Sequence, residues 1–201
     1  MASISSRNSP AYLLILLSIC LHINLTSAAR DLTETTSTEF LRTSCSTTTY
    51  PKLCYSSLLI HADKIQTSPK LLANAALNVT LALAASTSTM MQKLSHSHGI
   101  KPREISAMED CVEELADSVD QISRSIDQLG KAKGSEFEVM IRDVQTWVSA
   151  ALTDESTCSE GFEGNPMNGK LKTLVREQIV NIAHMTSNAL SLVNKYASLH
   201  G

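Results

Sequence analysis

The sequence predicts an all-α protein, an antiparallel up-down-up-down bundle of four long helices preceded by a short helical hairpin. Three observations predict it. Prolines and glycines fall almost entirely between periodic segments, apolar residues recur at helical spacing, and four cysteines remain once a leader is removed.

The leader comes first. Arg7, an almost unbroken apolar run over residues 11–21 and the small residues Ser27-Ala28-Ala29 read as a secretory signal over 1–29, cleaved before Arg30. The run is shorter than the roughly 20 residues a membrane span needs, and no later stretch is read as apolar enough to anchor the chain. Cys20 and the sequon at Asn24 leave with the leader. Asn78-Val79-Thr80 is then the one complete glycosylation sequon in 30–201, so Asn78 is the candidate glycosylation site. Residues 30–201 suit one domain with its own core, divided into a hairpin over 38–64 and a bundle over 69–200.

Residues 30–37 are polar, Thr-rich and expected to be loose. In the hairpin, Cys45 and Cys54 flank Thr47-Thr48-Thr49-Tyr50-Pro51, and Tyr50-Pro51 is expected to turn the chain between two or three short helices. Four stretches without an internal Pro or Gly follow, over 69–98, 102–129, 136–156 and 170–199. Ser68 before Pro69 reads as an N-cap, Ser135 with Glu138 has capping-box spacing, and Gly99 and Gly130 stand where left-handed stops are expected. The second stretch has a strict stripe of Ile105, Met108, Val112, Leu115, Val119, Ile122, Ile126 and Leu129. The third repeats Phe137, Ile141, Val144, Val148 and Ala151. The fourth runs from Leu171 and Val175 to Leu192 and Tyr196. The first is Ala-rich and blurred, with Leu72, Ala75, Val79, Ala82, Leu83, Met90 and Leu94 on its expected face.

Cys45, Cys54, Cys111 and Cys158 form an even set in an exported chain, which reads as two disulfides. Four cysteines allow three pairings, and the sequence alone does not choose among them. Cys45 and Cys54 need only the local hairpin to meet. Cys111 stands at the edge of the second stripe, about 60° from its centre, and Cys158 just past the third helix. Antiparallel neighbours would allow those two to meet as well. With every thiol so used, recognition is a better reading than catalysis.

Charge narrows the partners. Removing 1–29 takes one Arg and no acid from 17 Lys+Arg and 20 Asp+Glu, leaving a net charge of −4. No basic stripe occurs and aromatics make up 4% of the chain, so nucleic acid is not an expected partner. His96-Ser97-His98 places two histidines on different sides of a helix, without a carboxylate or Cys at ligand spacing, and reads as a polar helix end. No Gly-x-Ser-x-Gly occurs, and no catalytic residue, metal or cofactor is expected. Met90, Met91 and Met185 read as core filler, and Trp147 as half-buried against a neighbouring helix. Glu113, Asp117, Asp120 and Arg124 cluster opposite the apolar stripe of the second helix. An exposed charged face is by default only solvated, but these four are the candidate docking residues.

Cys45-Ser46-Thr47-Thr48-Thr49-Tyr50-Pro51-Lys52-Leu53-Cys54, then Glu109-Asp110-Cys111-Val112-Glu113-Glu114-Leu115, then Val144-Gln145-Thr146-Trp147-Val148-Ser149-Ala150-Ala151-Leu152-Thr153 running on to Thr157-Cys158, occur in that order on this helical pattern. In this the chain resembles the plant invertase/pectin methylesterase inhibitor family over nearly all of 30–201. The resemblance implies the pairs Cys45–Cys54 and Cys111–Cys158. It implies a four-helix bundle with an N-terminal hairpin, and inhibition of pectin methylesterase or of acid invertase by a secreted protein of the cell wall. The stretch from Trp147 to Thr153 looks more like the pectin methylesterase inhibitors. The Pro-Lys-Phe tripeptide frequent in invertase inhibitors is missing, since Pro51-Lys52-Leu53 and Pro69-Lys70-Leu71 both end in Leu.

The expected function is therefore secreted inhibition of pectin methylesterase by one-to-one docking across its pectin cleft, with acid invertase as the alternative target. A small-ligand-binding helical bundle is more distant, and a hydrolase more distant still. The chain ends at Gly201 without an attached catalytic domain, so a monomer acting in trans is expected. In an acidic cell wall, His61, His96, His98, His184 and His200 could make binding depend on pH, though none stands out by sequence.

Overall fold

A computed structural model describes residues 35–163 and 169–200. The signal expected over 1–29, its cleavage site, Cys20 and Asn24 lie outside the described residues, as do Gly164 and Pro166. All regular structure among the described residues is helical. Helix α1 covers 35–45, α2 Pro51–Leu58 and α3 Ala62–Ile65, the last two joined by a 3-10 turn at Leu59–His61. The long helices are α4 (Pro69–Ser95), α5 (Pro102–Lys131), α6 (Phe137–Gly161) and α7 (Lys170–Ser198). Helix α4 packs on α5 and α7, and α6 packs on the same two.

The helix starts follow local chemistry. Pro69 and Pro102 each open a helix, where a missing N–H costs nothing. The Ser68 hydroxyl accepts the Leu71 N–H, and the Glu104 carboxylate accepts the Lys101 N–H. Two expected boundaries are corrected. Helix α5 runs through Gly130 to Lys131, and the left-handed position is taken by Gly134 at φ +63°. The Lys70 ammonium donates to the Gly130 and Ala132 carbonyls, satisfying the negative end of α5 without a left-handed stop. Ser135 does not cap α6; it lies in a 3-10 turn at Gly134–Glu136 that leads into Phe137.

Helix α6 also continues beyond its expected end, so Cys158 lies inside it. Nothing between 153 and 160 breaks a helix, and the Thr153, Ser156 and Thr157 hydroxyls each bond the carbonyl four residues back. The buried positions of α6 are Phe137, Ile141, Val144, Val148, Ala151, Glu155 and Cys158, a continuous alternation of four and three. On α5 they are Met108, Cys111, Leu115, Ser118, Ile122, Ser125 and Leu129. The centre of that face is rotated from the expected stripe. Val112, Val119 and Ile126 flank it half-buried, while Cys111, Ser118 and Ser125 are buried within it. Small side chains there let α5 and α6 approach closely, and the Cys111–Cys158 disulfide joins them with Cα atoms 4.5 Å apart.

Helix α4 is rotated further. Ala73, Ala76, Leu77, Thr80, Ala84, Thr87 and Met91 are buried, whereas Ala82 is exposed and Ala75 and Val79 are half-buried. Nearly every residue in its middle is small or apolar, so hydrophobicity does not mark one side. The expectation that no segment after the leader is apolar enough to span a membrane is also corrected. By length and composition α4 is such a helix, its charges confined to its ends. Its buried side packs on α5 and α7, and its other side leaves apolar groups on the surface.

The N-terminal helices are fixed to α7. A Cys45–Cys54 disulfide joins α1 to α2, with Cα atoms 5.5 Å apart. Buried Asn188 accepts the Tyr50 N–H at 2.9 Å and donates to the Tyr50 carbonyl at 3.0 Å, while the Tyr50 ring stacks on His184 at 3.6 Å. Asn188→Ala strands the Tyr50 N–H, while the Tyr50 carbonyl keeps the Cys54 N–H at 3.0 Å. It is expected to cost about 2 kcal/mol in urea unfolding and to speed proteolysis within 46–50. Unchanged cleavage there would mean that the disulfide alone fixes the segment.

Candidate functional site

The strongest concentration of charge lies on α5. Residues 109–124 contain six acids and one base. Glu113, Asp117, Asp120 and Arg124, spaced four, three and four residues apart, share the exposed side of the helix. Glu109 and Asp110 extend the row, which covers roughly 16 Å of helix from Glu109 to Asp120 at about 1.5 Å per residue. The Arg124 guanidinium pairs with the Asp120 carboxylate, so the cation is internally compensated. Asp154 on α6 reaches the same surface. Burial pushes its carboxyl pKa up, the carboxylates of Glu114 and Asp117 push it further, and a hydrogen bond from Gln121 opposes them. The α5–α6 surface is thus an acidic field, and docking and electrostatic steering are what it can do.

Behind that surface lies a group the sequence reading missed. Glu155 is fully buried between α5, α6 and α7. Its Oε1 lies 2.8 Å from the Ser118 hydroxyl and 2.8 Å from the Thr186 hydroxyl, and its Oε2 has no partner. Thr186 Oγ1 is also 3.2 Å from the Ile182 carbonyl, yet it has one proton to give. A protonated carboxyl removes the conflict, because Glu155 can donate to Thr186 while Thr186 donates to Ile182. Burial raises the Glu155 pKa to about 7, against the pull of the Thr186 and Ser118 hydroxyls, with Asp154 adding to the rise. The signal was in the periodicity: the spacing from Phe137 to Ala151, carried one step further, arrives at 155.

The other candidate residues are dispersed. Asn78 is exposed on α4, where its Nδ2 donates to the Asn74 carbonyl and to Asn74 Oδ1. His96 and His98 fall in the turn after α4, and Trp147 is half-buried on α6. Among the described residues no three His, Cys, Asp or Glu side chains are placed to hold a metal. Cys45, Cys54, Cys111 and Cys158 are all disulfide-bonded.

A family model described as plant invertase/pectin methylesterase inhibitor matches residues 39–192. Pectinesterase inhibitor 11 of Arabidopsis thaliana is 44% identical over 92% of this chain and 94% of its own length. The 21 kDa protein of Daucus carota is 47% identical over 81% of this chain and 86% of its own. Among solved structures, a mutant form of a pectin methylesterase inhibitor from Arabidopsis superposes with a TM-score of 0.61. That alignment has 22% identity and covers 75% of this chain and 92% of the other, a likeness of fold.

Proposed function

The chain belongs to the plant invertase/pectin methylesterase inhibitor family, and we propose that it inhibits pectin methylesterase outside the cell, by obstruction and without catalysis of its own. The observation that carries this reading is its identity to a pectinesterase inhibitor over nearly the whole of both chains. In this reading α4 to α7 form an antiparallel up-down-up-down bundle with α1 to α3 as an N-terminal hairpin, and the protein acts as a monomer without a membrane anchor. Two disulfides and helices interlocked through buried side chains favour a rigid body, which loses little conformational entropy on docking.

The docking face we assign is the acidic row of Glu113, Asp117 and Asp120, with Arg124 at its end. Partly de-esterified pectin is a polyanion, so a cleft that binds it accommodates carboxylates in a line. A helix displaying acids at spacings of three and four offers carboxylates to the same groups. The row covers the cleft and excludes the substrate.

Purified protein, added separately to a plant pectin methylesterase and to a cell-wall invertase, is expected to inhibit the esterase at one-to-one stoichiometry and leave the invertase active. Inhibition of the invertase alone would move the chain to the other branch of its family. Silence on both would return it to ligand binding.

A further inference from the structure

We propose that Asn78 carries an N-linked glycan whose first sugars lie in a groove of the fold and cover apolar surface on α4. The groove runs along α4 beside α3, with a volume of about 550 Å³. Ile65, Leu71, Ala75, Val79 and Ala82 line it, and Asn78 stands among them. Leu71 is 47% exposed, although it belongs to the helix with the most apolar composition in the described chain. The sequon places a covalent attachment point within the groove itself. N-acetylglucosamine suits the lining: its pyranose C–H face and acetyl methyl can rest on Ala75, Val79 and Ala82. Its hydroxyls are left for His61, Lys64 and Asn74, which also line the groove.

Attachment requires a lipid-pyrophosphate-linked oligosaccharide in the secretory pathway. The Asn78 Nδ2–C1 bond forms as the C1–O bond to pyrophosphate breaks. The pyrophosphate leaves with the bonding electrons, and the amide nitrogen gives up one proton to a base. One proton remains on Nδ2, so one of its two bonds, to the Asn74 carbonyl and to Asn74 Oδ1, is kept and the other given up. Thr80, the third residue of the sequon, is fully buried and its hydroxyl donates to the Ala76 carbonyl at 2.9 Å. A transferase cannot reach it in the folded protein, so the sugar is added before α4 docks.

The proposal rests on export and not on the identity of the inhibited enzyme. The full chain is produced in a secreting plant host and treated, while folded, with a glycosidase that cleaves between Asn and the first sugar. The untreated protein is expected to carry sugar at Asn78 in glycopeptide mass spectra. Removal is expected to raise the fluorescence of an anilinonaphthalene sulfonate probe about twofold as the groove is uncovered. N78D and N78Q from the same host should match the treated protein, N78D controlling for the charge that cleavage leaves. Wild-type protein made in a bacterial host, which keeps an unmodified Asn78, should once folded not accept a glycan from a transferase in vitro. An unmodified Asn78 in the secreted protein would overturn the site. Unchanged probe fluorescence after removal would overturn the covering of the groove. Esterase inhibition, measured in parallel, reports on the docking face alone.

Discussion

Raising the pH from about 5 to about 8 is expected to cost the wild-type protein about 3 kcal/mol more than it costs Glu155→Gln, at about 1.4 kcal/mol per pH unit over the interval between unfolded and folded pKa values. Glu155 has an ordinary pKa of 4.5 and a folded value of about 7. The folded protein therefore holds its proton more tightly than the unfolded chain, and protonation stabilises the fold. This contribution is complete below about 4.5, declines as pH rises through about 7 and is flat above it. Structurally, ionisation leaves a charge with an unpartnered Oε2 between three helices. Other groups titrate nearby. Asp154, pushed up mainly by burial, acts in the same direction. His184, pushed down by burial, acts oppositely, because its stabilising neutral form is lost as pH falls. The comparison with Glu155→Gln removes both, since the amide leaves them in place. Urea unfolding of both proteins at the two pH values measures it. Parallel stability profiles would show that Glu155 is ionised and solvated at pH 5, against its placement here. In the acidic extracellular setting proposed for the protein the sign is favourable, because the helical core is most stable where the carboxyl is neutral.

Asp117→Lys together with Asp120→Lys is expected to weaken inhibition of pectin methylesterase at least tenfold, about 1.4 kcal/mol or more. The two substitutions change the charge of one helix face by four and place cations where the enzyme's pectin cleft is expected to receive carboxylates. Both side chains are exposed, so the fold should be retained, with thermal midpoints near wild type. Arg124 loses its partner at Asp120, a solvent-exposed pair that contributes little to stability. The inhibition of wild type should itself weaken as salt is added, because exposed charges are screened over roughly 8 Å at physiological ionic strength. Inhibition unaltered by the double reversal would remove this face from the interface.

Much of the fold was legible because its signals are local. Pro69 and Pro102 mark helix starts through their own ring geometry, and the apolar spacing of α6 and α7 follows from 3.6 residues per turn whatever packs against them. The row from Glu113 to Arg124 was legible for the same reason, as residues four and three apart on one helix must share a side. By itself, then, the sequence determined an all-α chain, the starts of α4 and α5 and the charged face. Tertiary structure alone decided which side of α4 turns inward, since a helix of Ala, Thr and Leu has no dominant face until its neighbours choose one. It decided that Cys111, Ser118 and Ser125 occupy the buried centre of α5, because only the distance to α6 shows that small side chains are needed there. It also decided the state of Glu155. A carboxylate reads as surface in a sequence, but enclosure by Ser118 and Thr186 from two other helices removes its water, and desolvation then keeps its proton in place.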